Sequence, residues 1–585
     1  MRRHPLPWLA VCLAPVLLTS ACLAQVSQRG AGTEPPDKSR ERAIHVLNRL
    51  TFGPRPGDVD RVMRIGIDRW IDQQLRPESI ADSIGLAALE GCRHWTAPVD
   101  SIAALMGSGL VTLEVAPRPS DTLRMAIMRF NVAAMPTVPV ITRDSARRMT
   151  ASRGQMFIDN GQLLACRLAR VEASEQQLLE VLTDFWLNHF SISGTKIPSR
   201  GSIVEWDRAV IRPNALGRFR DLLGSVVRSP TMLTYLDNAV SGADPSHLTL
   251  AEVTRARTEG KLPAAGPRTT NGLNENYARE LLELHTLGVD GGYTQGDVID
   301  VARALTGWTH TIADPRTSLR IRLGATTGPA AQPLFRFDST THDADEKVVL
   351  GHRLAGERGI EDGEEVLDIL ARHPSTARFI ARKLAVRLVS DTPPHALVER
   401  AAATFLRTDG DLRAVVREIV MSREFNDPSV YGAKVKTPLE LVLSTRRALA
   451  SPPDTAAEVI DLLIALDQPP FGKATPEGWP ETAAPWLSVS AMRERFNLAS
   501  RVSEGELPSI PVEAWPAWHQ LVEQPFDVQL EQVIQTLLNG QASAGTRSAL
   551  GAVRPVEDKN TPDQRRTSLR ELIGLALGSP EFQRR

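Results

Sequence analysis

The sequence predicts a mainly α protein, an irregular multi-helix body with a small β-hairpin insertion. Apolar residues recur three and four positions apart through most of the 585-residue chain, which is the period of an amphipathic helix. Strand-like alternation of apolar and polar residues is convincing in one stretch only, at about 310–355. After the N-terminus no run of about 18 uninterrupted apolar residues occurs, so no transmembrane segment is predicted there.

Residues 1–24 have the composition of a signal peptide. Two arginines follow the first methionine, an apolar run too short to span a bilayer comes next, and small residues precede Ala24. Cleavage near Ala24 gives an exported protein, periplasmic or extracellular, and this interpretation is favoured. Cleavage before Cys22 would give a lipid-anchored protein, but Leu18 lies one position further from that cysteine than the usual lipoprotein signal places it. The choice between Sec and twin-arginine export stays open.

The elements follow in order from residue 25. Residues 25–39 are polar and predict a disordered linker. Residues 80–170 are divided by prolines into short helices and loops, and residues 468–486 are too rich in proline, glycine and tryptophan to be regular. Amphipathic patterns predict helices at 40–50, 58–75, 172–190, 276–287, 294–307, 363–370, 377–389, 397–406, 412–421 and 438–449, and closing helices within 525–585.

The β insertion rests on two alternating runs, residues 319–323 and 334–337. Residues 348–350 are a candidate partner strand for the second run. A helical domain that carries this insertion is expected over residues 40–500, and residues 501–585 are expected to form C-terminal helices packed on the main body.

Charge and cysteine content exclude several classes of function. The net charge is −1, and no block of lysine and arginine with interleaved aromatic residues occurs, so nucleic-acid binding is not predicted. No haem-attachment or nucleotide-binding motif is present. Beyond the signal region two cysteines remain, Cys92 and Cys166. They suit one disulfide in an oxidising compartment and two buried thiols equally well.

Two predicted helices carry a histidine on their apolar face. In the helix 172–190, His189 shares an arc with the large apolar side chains, while Asp184 and Asn188 mark the polar edge. In the stretch 271–305, His285 lies on the apolar arc of the first helix, with Asn276 and Glu280 on the opposite arc. Gly288 predicts the end of that helix, and Thr294 with Asp297 resembles a capping pair for the next.

Several ordered segments carry a family resemblance: LNRLTFGPRPGDVDRV, DFWLNHFSIS, IRPNALGRFRDLLGSVVRSPTMLTYLDN, NENYARELLELHTLGVDGGYTQGDVIDVARALTGW, FRFDSTTHDADEKVVLG and LDQPPFGKATPEGWPE. Together they resemble the bacterial family filed as domain of unknown function 1800, over roughly residues 40–500, with an extension to residue 585 left open. The resemblance implies an exported, mostly helical protein of no established activity, with a frequent neighbour from an exported family of alkaline-phosphatase-like fold. The family often has histidine where this chain has Leu187, so a metal site that uses two histidines of that segment would lack one ligand.

Each candidate site residue has a functional interpretation and an alternative, purely structural one. We interpret His189, Glu280 and His285 as candidate catalytic residues, although histidines on apolar arcs are often core residues with satisfied hydrogen bonds. The candidate ligand-binding residues are Asp184, Asn188, Asn276, Arg279, His342, Asp343 and Lys347. A charge ladder of Glu275, Arg279 and Glu283 and a simple turn at His342-Asp343 are the structural alternatives. Stacking of a sugar or aromatic ligand and buried aromatic packing both suit Trp186, Trp308, Trp479 and Trp486.

A divalent metal is compatible with these residues, but its identity stays open. No HExxH motif occurs, so zinc-protease chemistry is not supported, and any metal ligands would have to converge from separate segments.

Two functional hypotheses follow. The first is an exported protein with an internal polar pocket, for ligand binding or for metal-assisted or acid–base chemistry. This pocket is expected between the 184–189 helix, the 276–285 helix and the 342–347 loop. The alternative is a non-catalytic periplasmic or surface partner of a neighbouring exported enzyme.

Overall fold

The computed structural model describes residues 38–96, 163–197, 200–260, 272–310, 335–453, 458–555 and 561–585. Over these ranges the chain is mainly helical, with two small antiparallel two-stranded sheets, so the predicted fold class is confirmed. The predicted signal peptide, the linker before residue 38 and the run 319–323 lie outside the described residues. Among the described helices, none combines the length and the apolar character that crossing a membrane requires.

The α-helices before the first strand are Lys38–Leu50, Asp58–Ile65, Ile67–Gln74, Ser83–Ala87, Arg93–Thr96, 163–173, Gln177–His189, Arg200–Glu205, Phe219–Arg228, Pro230–Tyr235, Leu250–Glu259, Asn276–Glu280 and Gln295–Ala304. Those after the last strand are Ile360–Arg372, Pro374–Leu388, His395–Arg407, Leu412–Val420, Pro438–Ala448, Glu458–Ala465, Val489–Glu504, Trp518–Leu521, Phe526–Leu537, Ala544–Gly551, Pro562–Gly578 and Pro580–Gln583. Short 3-10 helices lie at Pro77–Ser79, Arg212–Asn214, Asn238–Val240, Pro428–Val430, Ala484–Leu487 and Val512–Ala514.

Two predicted helices are broken by local chemistry. The helix expected over residues 58–75 is split at Gly66, whose φ of +90° a residue with a side chain rarely adopts. The helix expected over residues 172–190 begins at Gln177, because the Ser174 hydroxyl accepts the Gln176 amide and turns the chain. By contrast, the capping box of Thr294 and Asp297 is present as predicted.

Two helices change to π geometry where they enter the core. Asn276–Glu280 continues as the π-helix Leu281–Thr286, and Arg200–Glu205 continues as the π-helix Trp206–Ile211. A π turn is wider than an α turn and rotates the side chains that follow it. Each of these turns carries one buried ionisable side chain, His285 in the first and Asp207 in the second.

The strands pair differently from the prediction. β1 (Trp308–His310) pairs with β2 (Phe335–Phe337), and β3 (Lys347–Val349) pairs with β4 (His352–Leu354). The expected pairing of residues 334–337 with 348–350 is therefore wrong. Leu350 and Gly351 both have positive φ, 50° and 79°, which is the backbone of a tight two-residue hairpin turn. Because of this turn, β4 follows β3 directly and pairs with it.

Two apolar clusters form the core. One contains residues of the first three helices, of the Gln177–His189 helix and of the helices between Phe219 and Phe425. The other joins residues 163–171 and the Pro438–Ala448 helix to the closing helices, up to Phe582. Cys92 and Cys166 lie in this second cluster and form a disulfide. Of the two alternatives that the sequence leaves open for these cysteines, the structure therefore has the disulfide.

Candidate functional site

A polar cavity lies where three segments meet: the Gln177–His189 helix, the Pro374–Leu388 helix and residues 468–481. We call it the Arg387 cavity. Its volume is about 70 Å³. Its charged and polar lining includes Arg167, Asp184, Asn188, Arg387, Lys473 and Glu481, and its apolar lining includes Leu187, Phe471 and Trp479.

The Arg387 guanidinium is the central group of this cavity. It is buried, and its Nη2 lies 3.2 Å from Asp184 Oδ2 and 3.3 Å from Glu440 Oε1. Its Nη1 lies 3.1 Å from Glu481 Oε2. Burial alone would lower the pKa of Arg387, but the charges of Glu481, Glu440 and Asp184 together raise it. Three carboxylates from three segments therefore converge on one cation.

Further ion pairs continue behind this group. Arg167 lies 3.9 Å from Asp184 and donates from Nε to Asp207 Oδ2 at 2.9 Å. Asp207 also accepts Arg212 Nε at 2.8 Å. Burial favours protonation of Asp207, but Arg212 and Arg167 outweigh it and hold its pKa at about 2. Burial raises the pKa of Asp184, and its two arginines act against that shift.

The irregular segment 468–481 is fixed over the cavity by Asn188. The Trp479 amide donates to Asn188 Oδ1 at 2.6 Å, and Asn188 Nδ2 donates to the Trp479 carbonyl at 2.8 Å. Gly478 has a φ of +77°, and a Cβ there would lie 2.2 Å from the Asn188 carbonyl oxygen. Only glycine fits this close approach. The Gly194 amide adds a bond to the Phe471 carbonyl at 2.7 Å.

The same segments carry the family resemblance. A family model described as a protein of unknown function (DUF1800) matches residues 45–584, nearly the whole chain. The chain belongs to this family. Comparisons with curated proteins and with solved structures give no match. The match includes the closing helices, for which the motifs had left the extent of the resemblance open.

In this DUF1800 protein, the segments DFWLNHF and PPFGKATPEGWPE meet at the Arg387 cavity. The cavity wall includes Leu187, at the position where the resemblance leads us to expect histidine in many members. Of the sequence-predicted site residues, Asp184 and Asn188 line the cavity, whereas His189 and His285 are not among its lining residues.

His189 and His285 lie against each other in an aromatic environment. Their ring centroids are 6.2 Å apart, and His189 Nε2 lies 3.2 Å from the His285 carbonyl oxygen. Phe190 packs on both rings, with centroids at 4.5 and 5.1 Å. Neither ring nitrogen of His285 has a hydrogen-bond partner among the described residues. Burial, and then the charge of Lys383, lowers the pKa of His285 to about 3 and that of His189 well below its usual value.

Glu280 and its neighbours lie on the more exposed side of the same helix. Burial, followed by repulsion from Glu283, raises the pKa of Glu280. Arg279 bonds to Glu275 at 3.2 Å and to Gln295 at 3.0 Å, a partly exposed pair of the kind that stabilises a helix by a few tenths of a kcal/mol. Asn276 is exposed and donates to the Leu236 carbonyl at 3.4 Å.

His342, Asp343 and Lys347 form a separate buried ion cluster. Arg303 donates to both oxygens of Asp343, at 3.1 and 3.0 Å, and Lys347 Nζ donates to Asp362 Oδ2 at 2.8 Å. His342 Nδ1 donates to the Thr306 carbonyl at 2.8 Å. Burial would raise the pKa of Asp343, but Arg303 lowers it.

A metal-compatible group also includes Asp343. His247, Asp343 and Asp345 present ligand atoms within 4.8 Å of one another. Because Arg303 and Lys347 already surround Asp343, this carboxylate has little negative potential left for a cation. We interpret the group as part of the ion cluster.

Arg387, Glu440 and Glu481 were not among the residues predicted for the site. A signal for Arg387 was present, since it lies three residues after Leu384 on the apolar arc of its helix. Long arginine side chains often extend from such positions to water, so the pattern by itself does not indicate a buried ion pair. Glu481 lies within the segment 468–486, which was interpreted only as irregular.

Replacing His285 with leucine tests whether this imidazole is buried in its neutral form. The folded pKa is about 3 and the unfolded value about 6.5, so the unfolded chain binds the proton first as the pH falls. The wild type therefore loses stability from pH 6.5 downward. In His285→Leu we expect a slope smaller by about 1.4 kcal/mol per pH unit between pH 6 and 4.5.

Urea unfolding at pH 7, 6, 5.5 and 4.5 measures this slope. His395→Leu is the matched control, because the His395 side chain is 88% exposed. At pH 7 the His285→Leu free energy of unfolding should equal or exceed that of the wild type, since two unpaired ring nitrogens are removed. An unchanged slope in His285→Leu would mean that His285 has a near-normal pKa.

Proposed function

We propose that this protein is an exported binding protein whose Arg387 cavity holds one unit of a neutral polyhydroxylated ligand, such as a sugar residue. The observation that supports the proposal is the balance of charges around the cavity. Arg167 and Arg387 face Asp184 and Glu481, and Lys473 pairs with Glu477 at 3.2 Å. An anionic ligand would be repelled by the two carboxylates, and a cationic ligand by the two guanidinium groups.

Hydroxyl groups match the hydrogen-bonding atoms of such a cavity. Carboxylate oxygens accept, guanidinium and ammonium groups donate, and a hydroxyl group does both. Adjacent hydroxyl groups of one sugar can therefore bond alternately to Glu481 and to Lys473. A few placed polar groups beside an apolar wall are the usual composition of a small-molecule site.

Trp479 supplies the apolar wall. Its ring is half-buried, whereas Trp186, Trp308 and Trp486 are buried. Lys473 Nζ lies 5.5 Å from the Trp479 ring centre, and the Trp486 ring lies tilted at 6.2 Å. A flat, partly exposed indole beside polar groups can stack on the C–H face of a sugar. At about 70 Å³ the cavity has space for several water molecules, which suits one edge of a sugar ring.

Binding of simple sugars to purified protein tests this function. Glucose, N-acetylglucosamine and cellobiose are titrated by calorimetry and by tryptophan fluorescence. We expect saturable binding of at least one sugar, weakened about tenfold or more in Glu481→Gln and in Trp479→Leu, because each removes one recognition group.

Glu283→Gln is the matched control, since Glu283 is a half-buried carboxylate that does not line the cavity. Urea unfolding of each variant verifies that it folds. Binding of none of the three sugars, or equal weakening in Glu283→Gln, would count against the proposal.

Export of this protein is supported by two independent features. Residues 1–24 have the composition of a signal peptide, and Cys92 and Cys166 form a disulfide, a bond that persists mainly in oxidising compartments. Expressed from its full sequence in a bacterial host and purified without reductant, the protein should begin near residue 25 and contain no free thiol at Cys92 or Cys166. Mass spectrometry measures both the position of the N-terminus and the number of free thiols. A lipid-modified Cys22 would indicate anchoring, and an intact N-terminus with two free thiols would contradict export.

A second candidate function is favoured by exposed apolar side chains close in sequence to a groove. A groove of about 320 Å³ lies between the Glu458–Ala465 and Val489–Glu504 helices. Exposed apolar side chains on and beside these helices are Ile464 (55%), Leu487 (47%), Val489 (90%) and Phe496 (36%). Such surfaces mark protein interaction sites. The corresponding proposal is a non-catalytic partner of a neighbouring exported enzyme of alkaline-phosphatase-like fold, the neighbour that the family resemblance implies.

Cross-linking in cells tests this second function. A photo-cross-linking amino acid at position 489 should capture the neighbouring enzyme, identified by mass spectrometry, because this side chain is almost fully exposed in the apolar surface. The same amino acid at position 423, where the arginine side chain is 85% exposed in the turn after the Leu412–Val420 helix, is the control and should capture little. Equal capture at both positions, or none at position 489, would argue against this surface as the interface.

A further inference from the structure

A second cavity lies beside Lys436, and its lining is positively charged. We call it the Lys436 cavity. Its volume is about 40 Å³. Three cationic side chains line it, Arg55, Lys436 and Arg584, against one carboxylate, Glu581. The rest of the polar lining consists of three amides and two hydroxyl residues: Asn48, Asn539, Gln541, Ser444 and Thr536. This composition is the reverse of the balanced charges around the Arg387 cavity.

Lys436 is the most constrained of the three cations. It is 5% exposed, and its Nζ lies 4.0 Å from the centre of the Phe582 ring. Among the described residues, no carboxylate or carbonyl lies within hydrogen-bonding or ion-pairing distance of this Nζ. A buried ammonium without an anionic partner is costly, and the cavity in front of it is where a partner fits.

The backbone of Lys436 is held in place by the C-terminal residues. Its amide donates to the Gln583 carbonyl at 3.0 Å, and its carbonyl accepts Arg495 Nη2 at 2.6 Å. The neighbouring amide of Arg585 donates to the Lys434 carbonyl at 2.8 Å. The backbone of Lys436 is therefore fixed, and its ammonium lies against the Phe582 ring, so that less ordering is needed when a ligand binds.

The charged groups around Lys436 favour an anion. Burial lowers its pKa to about 7, Glu440 acts against that shift, and the cations Arg585 and Arg495 add to it. On the cavity side, the Glu581 oxygens already accept the Ser543 amide at 2.9 Å and the Thr546 hydroxyl at 2.7 Å. The single carboxylate of the lining is thus turned toward its own donors. Arg55 is compensated from outside the lining, since it bonds to Glu175 and to the Glu172 carbonyl, so Lys436 and Arg584 are the lining cations that have no ion pair among the described residues.

We propose that the Lys436 cavity binds a tetrahedral oxyanion, a phosphate or sulfate group, with the Lys436 ammonium as its central donor. The cavity has space for about three water molecules, which suits one such group and excludes a whole nucleotide. Cationic nitrogens with amide N–H groups around them are the usual partners of these oxygens. The group is either a free ion or the end of a larger ester whose remainder lies outside the cavity.

Titration with sulfate at pH 6 and pH 8.5 tests the proposal, because the charge of sulfate does not change between these pH values. Calorimetry on the purified protein should show a dissociation constant at least about tenfold weaker at pH 8.5 than at pH 6, since Lys436 is protonated at the lower pH and mostly neutral at the higher. Lys436→Met should lose binding at both values. Lys436→Arg should bind with little dependence on pH, because arginine stays charged.

Lys473→Met is the matched control and should bind sulfate as the wild type does, since Lys473 lines the Arg387 cavity. Should Lys436→Met fail to fold, Lys436→Arg and the wild-type pair of pH values decide the outcome. Binding that is equal at both pH values in the wild type, or equal binding of acetate, would overturn the proposal.

Inorganic phosphate and glycerol 3-phosphate distinguish the two sources of the group. Tighter binding of glycerol 3-phosphate supports the proposal with an ester as the natural ligand, and tighter binding of inorganic phosphate supports it with the free ion. Failure of sulfate and of both phosphates to bind overturns it. Neither outcome changes the expectation for sugars at the Arg387 cavity, which shares no lining residue with this one.

Discussion

The buried guanidinium of Arg387 is the interaction on which the rest of the structure depends. It is 1% exposed and joins Asp184 of the Gln177–His189 helix, Glu440 of the Pro438–Ala448 helix and Glu481 of the irregular segment. The C-terminal Arg585 donates to the Arg387 carbonyl at 3.1 Å and also reaches Glu440. Loss of one partner from such a buried group costs about 3–5 kcal/mol, because the remaining charges stay in a medium of low dielectric constant. The two apolar clusters of the core are therefore tied together by charge as well as by packing.

This ion network divides the interior into regions of different net charge. Around Arg387, carboxylates outnumber the cation that they contact, and Arg585 restores the balance at Glu440. Near Lys436 and Arg495 the positive charges are close together. Among the described residues, Glu440 is the carboxylate that offsets these charges. Burial, with Glu440 acting against it, lowers the pKa of Arg495 to about 10. The same fold thus offers one cavity in which charges cancel and another in which positive charge remains.

The sequence determines the local elements better than the site. Thr294 and Asp297 predict a helix start because a capping box needs only residues three positions apart. The burial of His189 and His285 follows from their apolar arcs in the same way. The pairing of residues 334–337 with 348–350 was wrongly expected because Leu350 has a positive φ, which is unusual for leucine, and the hairpin turn that it forms pairs β3 with β4 instead. Arg387 was missed because a single arginine on an apolar arc does not reveal whether it pairs with a distant carboxylate. Its partner Asp184 is 203 residues away in the sequence.

The π turns explain why the helical wheel was an incomplete guide to the interior. A regular α-helix places His285 on the arc of Tyr277, Leu281 and Leu282. In the π-helix Leu281–Thr286, by contrast, the backbone bond spans five residues: the Leu287 amide donates to the Leu282 carbonyl at 2.9 Å. The wider turn keeps His285 fully buried against Phe190 while Glu280, one turn earlier, stays half-buried beside Glu283. One helix therefore separates a neutral imidazole from a carboxylate of raised pKa. The ionisable groups of this protein are thus sorted by environment: the histidines of the core lie among aromatic side chains, whereas Arg387 lies among carboxylates.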